Sequence, residues 1–268
     1  MELAKDNVVV TLDGQGADEI LAGYHYFFGY LFKDLFKHFK LNDFLSEINF
    51  YFKNHRSLYG LKTFAYFMLP EKLRTVARVN EKGYINRDFI NNYSGSNNVS
   101  GTLYDSGSIQ DALLDHFEYK LEHLLKWEDR NSMWFSLEAR VPFLDHRLVE
   151  KTIASDWRNI IYKGMTKNIL REAMKGVVPE KIRMRKDKIG FETPEDEWFR
   201  TPKFNMLIEE VLMPGNYLTN CLINSEKALK LYKAHCNRKI DISKEIWKWI
   251  HLEMWHREFF NETICGNL

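Results

Sequence analysis

The chain has 268 residues, 45% apolar and 28% charged, which is ordinary usage for a globular protein, so disordered and collagen-like architectures are excluded. A formal net charge of +1 provides no field toward a phosphate backbone or an anionic bilayer, so neither nucleic acid nor a membrane is expected as a partner. The three cysteines lack CxxC spacing and the first residues lack the pattern of a secretory signal, so we expect no thiolate metal site and a cytoplasmic protein.

The first predicted element is a strand over Asn7 to Leu12, where three consecutive valines are typical of a strand buried on both faces. It is the only strand that the sequence predicts. It leads through a glycine turn, Asp13-Gly-Gln-Gly16, toward a helical segment. Buried strands must pair their backbone groups, and we find no second strand, so we expect the rest of a sheet to lie in sequence upstream of Met1.

The remaining elements are predicted to be helices, because apolar residues recur at helical spacing. Two helices separated near Leu41 should occupy the stretch up to about His55, and a third should follow up to Pro70. From about Asn80 to Thr102, Asn, Ser and Gly dominate, which predicts a long surface loop. Further helices are predicted from Ser106 or Ser108 to Leu125, then over 148–154, 166–175, 204–212, 225–237 and 243–260.

The glycine turn is the first candidate site. Glycines after a strand, such as Gly14 and Gly16, let the backbone approach a phosphate, and Asp18 is an oxygen ligand suited to Mg²⁺. By spacing alone, a structural interpretation is favoured, in which the glycines only form the turn and Asp18 and Glu19 complement a helix dipole.

Two other segments could carry chemistry. Glu138 and Arg140 lie in a stretch of alternating acids and arginines, where they could support a ligand or form a structural ion pair. Lys188 lies in a basic segment that contains a glycine and could neutralise phosphate charge, although most such segments face solvent. The histidines lack the third ligand of a zinc site, so we predict none.

These segments, in this order, resemble the synthetase domain of glutamine-dependent asparagine synthetases over almost the whole chain. The motifs that carry the resemblance are Gly14-x-Gly16-Ala-Asp-Glu-x-x-x-Gly23-Tyr24, Asp129-Arg-Asn-Ser-Met, Ser136-Leu-Glu-Ala-Arg-Val-Pro-Phe-Leu-Asp145, Gly164-x-x-Lys167 with Leu170-Arg171, Lys188-Ile-Gly-Phe191, Ile246-Trp and Glu253-x-Trp255.

The resemblance implies a mainly α fold, the C-terminal helical portion of a PP-loop ATP pyrophosphatase (adenine nucleotide alpha hydrolase-like) α/β domain. It implies one partial domain over 1–268, with strand, nucleotide turn and helices in 1–55 and a helical remainder in 56–268. In that family Mg-ATP converts the side-chain carboxylate of aspartate to β-aspartyl-AMP, and ammonia released from glutamine displaces AMP.

The resemblance also implies roles for particular residues. Asp13, Gly14 and Gly16 should lie by ATP, and Asp18 should hold Mg²⁺. Lys188 should face the phosphates, as should Lys167 on weaker grounds. Glu138 and Arg140 should support the intermediate or its loop.

Three departures from the family bear on function. The SGGxDS loop that grips pyrophosphate and the cysteine nucleophile of the glutaminase domain are both absent from this sequence. Gln15 stands where well-studied members carry Glu, at a position associated with the aspartyl-AMP intermediate, and Gln cannot act as a base. We therefore expect an incomplete piece that needs an upstream half as its partner, or an enzyme acting on another carboxylate such as a sugar acid. The alternative of another class is a non-catalytic helical interaction subunit.

Overall fold

A computed structural model of the chain describes residues 1–93, 98–187 and 193–260. The structure is mainly helical. Its helices are α1 (Glu2–Lys5), α2 (Ala17–Ile20), α3 (Phe27–Lys37), α4 (Leu41–His55), α5 (Tyr59–Met68), α6 (Glu71–Glu81), α7 (Arg87–Tyr93), α8 (Asn98–Asp105), α9 (Ile109–Tyr119), α10 (Leu121–Met133), α11 (His146–Ile153), α12 (Trp157–Ile160), α13 (Asn168–Ala173), α14 (Glu180–Arg183), α15 (Glu195–Trp198), α16 (Pro202–Val211), α17 (Ser225–Cys236) and α18 (Ser243–Phe259).

The strands are β1 (Val10–Leu12), β2 (Glu138–Arg140), β3 (Ile161–Tyr162) and β4 (Met165–Thr166). They form two separate pairs, with β1 parallel to β2 and β3 antiparallel to β4. A 3₁₀ turn covers Pro142–Leu144, and a π-helical turn covers Leu218–Leu222.

The chain divides into two compact units. One comprises Met1–Glu71 and Asn98–Lys188, and the other comprises Lys72–Asn97 and Ile189–Leu268. All the candidate site residues that the structure describes belong to the first unit.

The core of the first unit is built on α3, which lies against α4, α5 and α9. Phe27, Phe28 and Tyr30 are all at most 1% exposed, and the ring of Tyr30 stacks on that of Phe67 with centroids 4.1 Å apart. The predicted helical periodicity is confirmed here, including the break before Leu41. Aromatic side chains carry large apolar area, so this face supplies much of the driving force for folding.

The predicted cap at Ser108 is confirmed, but the helix that follows it is interrupted. The Ser108 hydroxyl accepts a hydrogen bond from the Asp111 amide, and the Asp111 carboxylate bonds back to the Ser108 amide. Helix α9 ends at Tyr119 and α10 begins at Leu121, and the ammonium of Lys120 between them donates to the Tyr26 hydroxyl at 2.8 Å. Apolar spacing alone did not predict this break, because apolar residues continue across it at helical spacing.

The predicted buried strand is shorter and more exposed than the sequence indicates. Only Val10–Leu12 is a strand, and Val9 and Leu12 are 75% and 74% exposed. The expectation that it has no partner in this chain is also wrong, because β2 pairs with it. The three residues of β2 carry no apolar pattern, so the pairing makes this strand rather than intrinsic propensity.

The long loop predicted between Asn80 and Thr102 is wrong where the structure describes it. Helices α7 and α8 occupy much of the segment, and 94–97 lie outside the described residues. The polar composition concealed Phe89 and Tyr93, which lie four residues apart on α7 with rings 5.0 Å apart.

The second unit is built around α16, α17 and α18. Trp249 of α18 meets the buried Tyr84 edge to face, with ring centroids 5.2 Å apart. Glu253 is only 2% exposed, and its carboxylate accepts from the Leu218 amide at 3.0 Å and from Arg257 Nε at 2.9 Å. A buried carboxyl group therefore bonds the first amide of the π-helical turn. In the described residues, no helix is both long and apolar enough to cross a bilayer.

The stability of the first unit should depend on pH because of one buried histidine, His116. His116 is 2% exposed, and burial lowers its pKa from 6.5 to about 4, partly offset by the hydrogen bond to the Ala112 carbonyl. Between these values the unfolded chain binds a proton that the folded chain does not, so stability falls as pH decreases from 6.5 toward 4. Between pH 7 and pH 5, protonation of this histidine in the unfolded chain should lower the free energy of unfolding by about 2 kcal/mol.

Urea unfolding of the wild type and of a His116→Gln variant at the two pH values measures this loss. The variant should lose about 2 kcal/mol less than the wild type over that interval. Equal losses in the two proteins would contradict the assignment to His116.

Candidate functional site

The glycine turn is anchored by the parallel pair of strands. β1 and β2 pair Val10 with Glu138 and Leu12 with Arg140. The Asp13 amide continues the ladder by donating to the Arg140 carbonyl at 2.8 Å. The Thr11 hydroxyl lies 2.9 Å from the Asp13 carboxylate. Asp13 is therefore fixed at the carboxyl end of the strand pair, the edge at which open α/β sheets bind ligands.

Gly16 is required by the shape of the turn. Its φ of +87° lies in the left-handed region, and a Cβ there would overlap the side chain of Leu144. It caps α2, which has only four residues, so the dipole expected to attract phosphate at this point is small. Gln15, beside it, is half-buried.

Asp18 and Lys167 meet although they are far apart in sequence. Lys167 Nζ lies 2.5 Å from Asp18 Oδ1, and the two side chains are 28% and 26% exposed. The Lys167 amide also donates to the Leu21 carbonyl at 3.2 Å. The structure thus brings together one carboxylate and one cation that the resemblance assigns to the same nucleotide.

Gly23 provides the space for this ion pair. A Cβ at Gly23 would overlap Asp18 Oδ1 and lie 2.6 Å from Lys167 Cε. Its φ is not in the left-handed region, so packing and not backbone conformation explains this glycine of the motif.

Replacing Gly23 with alanine should therefore separate Asp18 from Lys167. Both clashing atoms are ends of side chains that can move, so the free energy of unfolding should fall by only about 1 kcal/mol or less. Lys167 should then react faster with an acylating reagent, as measured by mass spectrometry. Gly14→Ala is the matched control, because a Cβ at Gly14 meets no atom within 4 Å. Equal Lys167 reactivity in the two variants would contradict this account.

Glu19 and Tyr24 are paired in a way that the sequence did not reveal. Glu19 is 1% exposed and accepts a hydrogen bond from the Tyr24 hydroxyl. Burial, followed by this bond, raises the pKa of Tyr24. The Tyr24 ring stacks on Tyr26 at 5.3 Å, and Lys120 Nζ lies 4.9 Å and 4.6 Å from the two ring centroids. Glu19 thus fixes the end of the motif, beyond the dipole role expected for it.

Glu138 and Arg140 form an exposed ion pair on one face of β2. Arg140 Nε and Nη2 donate to the two Glu138 oxygens at 2.8 Å and 3.1 Å. The hydrogen bond from Arg140 lowers the pKa of Glu138. Exposed pairs contribute little to stability. The structural alternative is therefore realised as a surface pair, and both side chains stay accessible to a ligand.

The basic segment is mostly engaged where the structure describes it. Arg183 donates to the Arg171 carbonyl at 2.9 Å and to Glu180, while Lys186 Nζ donates to Asn54 Oδ1 at 2.9 Å. Lys188 lies outside the described residues, so its expected position near the phosphates stays a prediction.

The donor set fits a magnesium nucleotide. Among the described residues, no three His, Cys, Asp or Glu side chains are arranged to hold a metal by themselves. Mg²⁺ in nucleotide sites commonly takes one or two carboxylates, with phosphate and water oxygens completing its coordination. Asp18 can provide such a carboxylate, and Asp13 lies in the same turn.

Comparisons with known proteins agree over most of the chain. A family profile described as "Asparagine synthase" matches residues 1–257. The chain is 27% identical to asparagine synthetase [glutamine-hydrolyzing] 1 of Bacillus subtilis over 263 residues, which is 94% of this chain and 41% of that protein. It is 28% identical to asparagine synthetase [glutamine-hydrolyzing] 3 of the same organism over 212 residues, 75% of this chain and 30% of that protein.

A weaker match, 24% identical over 155 residues, is to a putative asparagine synthetase [glutamine-hydrolyzing] of Mycobacterium tuberculosis, covering 58% of this chain and 23% of that protein. No solved structure matches. The chain thus spans less than half the length of each of these relatives.

Proposed function

Because the chain belongs to the asparagine synthase family, we propose that it is part of an enzyme that converts aspartate to asparagine with ATP. The observation that carries the proposal is the meeting of Asp18 and Lys167 beside the glycine turn, since it joins two of the family motifs in one place. The proposed cofactors and substrates are Mg²⁺, ATP, aspartate and ammonia derived from glutamine.

The reaction needs two steps because a carboxylate is a poor acyl donor. In the first, a side-chain carboxylate oxygen of aspartate attacks the α-phosphorus of ATP, and pyrophosphate leaves. In the second, ammonia attacks the activated carbonyl carbon, AMP leaves with the carboxylate oxygen, and a proton is lost to give the neutral amide. Most of the catalytic work is to neutralise phosphate charge and hold the reactants in line.

The chain's residues can divide this work. Asp13, Gly14 and Gly16 would lie along the nucleotide, and Asp18 would contribute a carboxylate to Mg²⁺, which screens phosphate charge when bound. Lys167 would leave Asp18 to meet a phosphate oxygen, exchanging one anionic partner for another. Glu138 and Arg140, exposed at the neighbouring strand, would contact the acyl-adenylate or its loop, and Lys188 would complete the cationic side.

We propose further that this chain is an incomplete piece and inactive alone. The motivating observation is that Val9, just before β1, and Leu12, at the end of β1, are largely exposed, although a parallel sheet is normally covered on both faces. The chain also spans only 41% of its Bacillus relative. A partner carrying further strands and a pyrophosphate-binding loop would cover this surface, and without it the exposed edge should promote association.

A second acceptor is favoured by one observation. Gln15 stands in the turn between Gly14 and Gly16 and is half-buried. It cannot carry the negative charge of a glutamate, so the preference for the ammonium group of aspartate would weaken. An amidotransferase acting on a carboxylate substrate without an ammonium group, such as a sugar acid in surface polysaccharide synthesis, would not need that negative charge.

The test is to produce the chain alone and together with the polypeptide encoded directly upstream of it. Formation of AMP, pyrophosphate and asparagine from Mg-ATP, aspartate and glutamine by the combined protein alone would support the proposal. Amide formation only with a sugar acid would favour the second acceptor. A stable partner with no nucleotide effect on thermal melting would instead favour a non-catalytic helical subunit, and failure of the combined protein on every acid would contradict the enzyme proposal.

A further inference from the structure

We propose that Glu47 is a positioning residue for Lys167, acting through the turn between β3 and β4. The Glu47 carboxylate accepts hydrogen bonds from the Lys163 and Gly164 amides, at 2.8 Å and 2.9 Å, with one oxygen for each. The functional part of this inference rests on the role proposed above for Lys167 at the phosphates.

The turn itself has a demanding geometry. Its two central residues, Lys163 and Gly164, have φ values of +50° and +68°, as a two-residue hairpin of type I′ requires. Lysine is an unfavourable residue in the left-handed region, so surrounding contacts must hold this conformation.

Helix α4 supplies those contacts to all four main-chain polar groups of the two central residues. Glu47 takes both amides. Asn54 Nδ2 donates to the Lys163 carbonyl at 2.8 Å, and His55 Nε2 donates to the Gly164 carbonyl at 2.9 Å. One helix thus holds the turn completely, over a sequence separation of more than a hundred residues.

The held turn determines where Lys167 lies. Lys167 directly follows β4, adopts a φ of +56°, and is the N-cap residue immediately before α13. It lies only three positions after Gly164, a reach of roughly 10 Å at most. A shift of the hairpin would therefore move Lys167 away from Asp18, its partner at 2.5 Å.

Glu47 has no role in the chemistry described above, yet it is buried. It is 2% exposed, and burial raises the pKa of its carboxyl group against the two amide bonds, which lower it. A carboxylate is the side chain that can accept from two converging amides at once. Glutamine offers one acceptor oxygen and would turn its own amide group toward the second N–H.

The test uses Glu47→Gln, with Glu122→Gln as the matched control. Glu122 is exposed and pairs only across one helical turn with Lys126, at 2.5 Å, so the control removes the same charge without touching the hairpin. Hydrogen exchange of the Lys163 and Gly164 amides reports on the turn. Acylation of Lys167, followed by mass spectrometry, reports on the lysine.

In Glu47→Gln we expect exchange of the two turn amides to accelerate about tenfold or more, because a buried hydrogen bond is lost and a donor is left unpaired. The rate of Lys167 acylation should rise about two- to fivefold, which corresponds to the free energy of a typical surface ion pair. Glu122→Gln should leave both unchanged.

Asn54→Ala is a milder second variant, since it removes the bond to the Lys163 carbonyl and an exposed bond from Lys186 but leaves both turn amides bound to Glu47. It should change both rates in the same direction by a smaller factor, and it decides the matter if Glu47→Gln does not fold. Faster amide exchange with unchanged Lys167 acylation would overturn the proposal, because Glu47 would then only stabilise the turn. Unchanged amide exchange would overturn it as well.

These readouts require no nucleotide, so they are independent of the proposed enzyme activity. The proposed contact of Lys167 with the phosphates is tested separately, in the chain produced with its upstream polypeptide. There, bound Mg-ATP should protect Lys167 from the acylating reagent. Absence of that protection would contradict the proposed function and leave the positioning result as it stands.

Discussion

Gly164→Ala should reduce the free energy of unfolding of the first unit by about 3 kcal/mol or more. A Cβ at Gly164 would lie 2.7 Å from the Phe50 carbonyl carbon and oxygen and 2.8 Å from the Tyr51 amide nitrogen. These are main-chain atoms within α4, so they can yield only if the helix shifts. The residue also has a φ of +68°, which alanine adopts at a cost.

Gly176→Ala separates the two causes. Gly176 has a φ of +79°, but no atom lies within 4 Å of a Cβ built on it. This control should lose only about 1 kcal/mol, the cost of the left-handed conformation. Urea denaturation of both variants measures their free energies of unfolding. If both lost the same amount, the close approach of α4 would not be the reason for a glycine at position 164.

Asp18→Asn, in the chain produced with its upstream polypeptide, should reduce ATP-dependent amide formation about a hundredfold or more. Asparagine preserves the shape of the side chain but removes the charge that would bind Mg²⁺. It also leaves Lys167 without its anionic partner at 2.5 Å. The rate of AMP release at several magnesium concentrations measures the loss.

Asp43→Asn provides the control for Asp18. Asp43 forms a partly exposed pair with Arg158, at 2.9 Å, so its removal should cost about 1 kcal/mol or less of stability. The Asp43→Asn variant should form the amide at the same rate as the wild type. If the Asp18 variant were as active as this control and kept the same magnesium dependence, Asp18 would not be a metal ligand.

The helical part of the fold was largely accessible from the sequence. Helices α3 and α4 carry apolar residues at a period that only a helix satisfies, and Ser108 precedes its helix with a capping pattern. The family was accessible because its motifs are ordered along the chain. Neither the helices nor the family required knowledge of tertiary contacts.

Strand β1 was predicted from its valines, although too long, whereas β2, β3, β4 and the turn between β3 and β4 could not be predicted from the sequence. Residues 138–140 become a strand only because Val10–Leu12 lies beside them. The hairpin at Lys163 and Gly164 lacks the Asn-Gly or Asp-Gly pattern that usually marks such turns. Its geometry is imposed by α4, and Glu47 gives no local signal of that role because its partners are more than a hundred residues away.

The strand pair also has a consequence for how the chain reaches its native state. Its two strands are separated by more than a hundred residues, so pairing them requires closure of a long loop, whereas α3, α4 and α5 form from neighbouring sequence. Contacts between distant residues form slowly relative to local ones. Asp13 takes its place only when that pairing is made, so the glycine turn should be among the last parts of the first unit to assemble. Binding a nucleotide there would favour completion of folding, since a ligand that binds only the native state stabilises it.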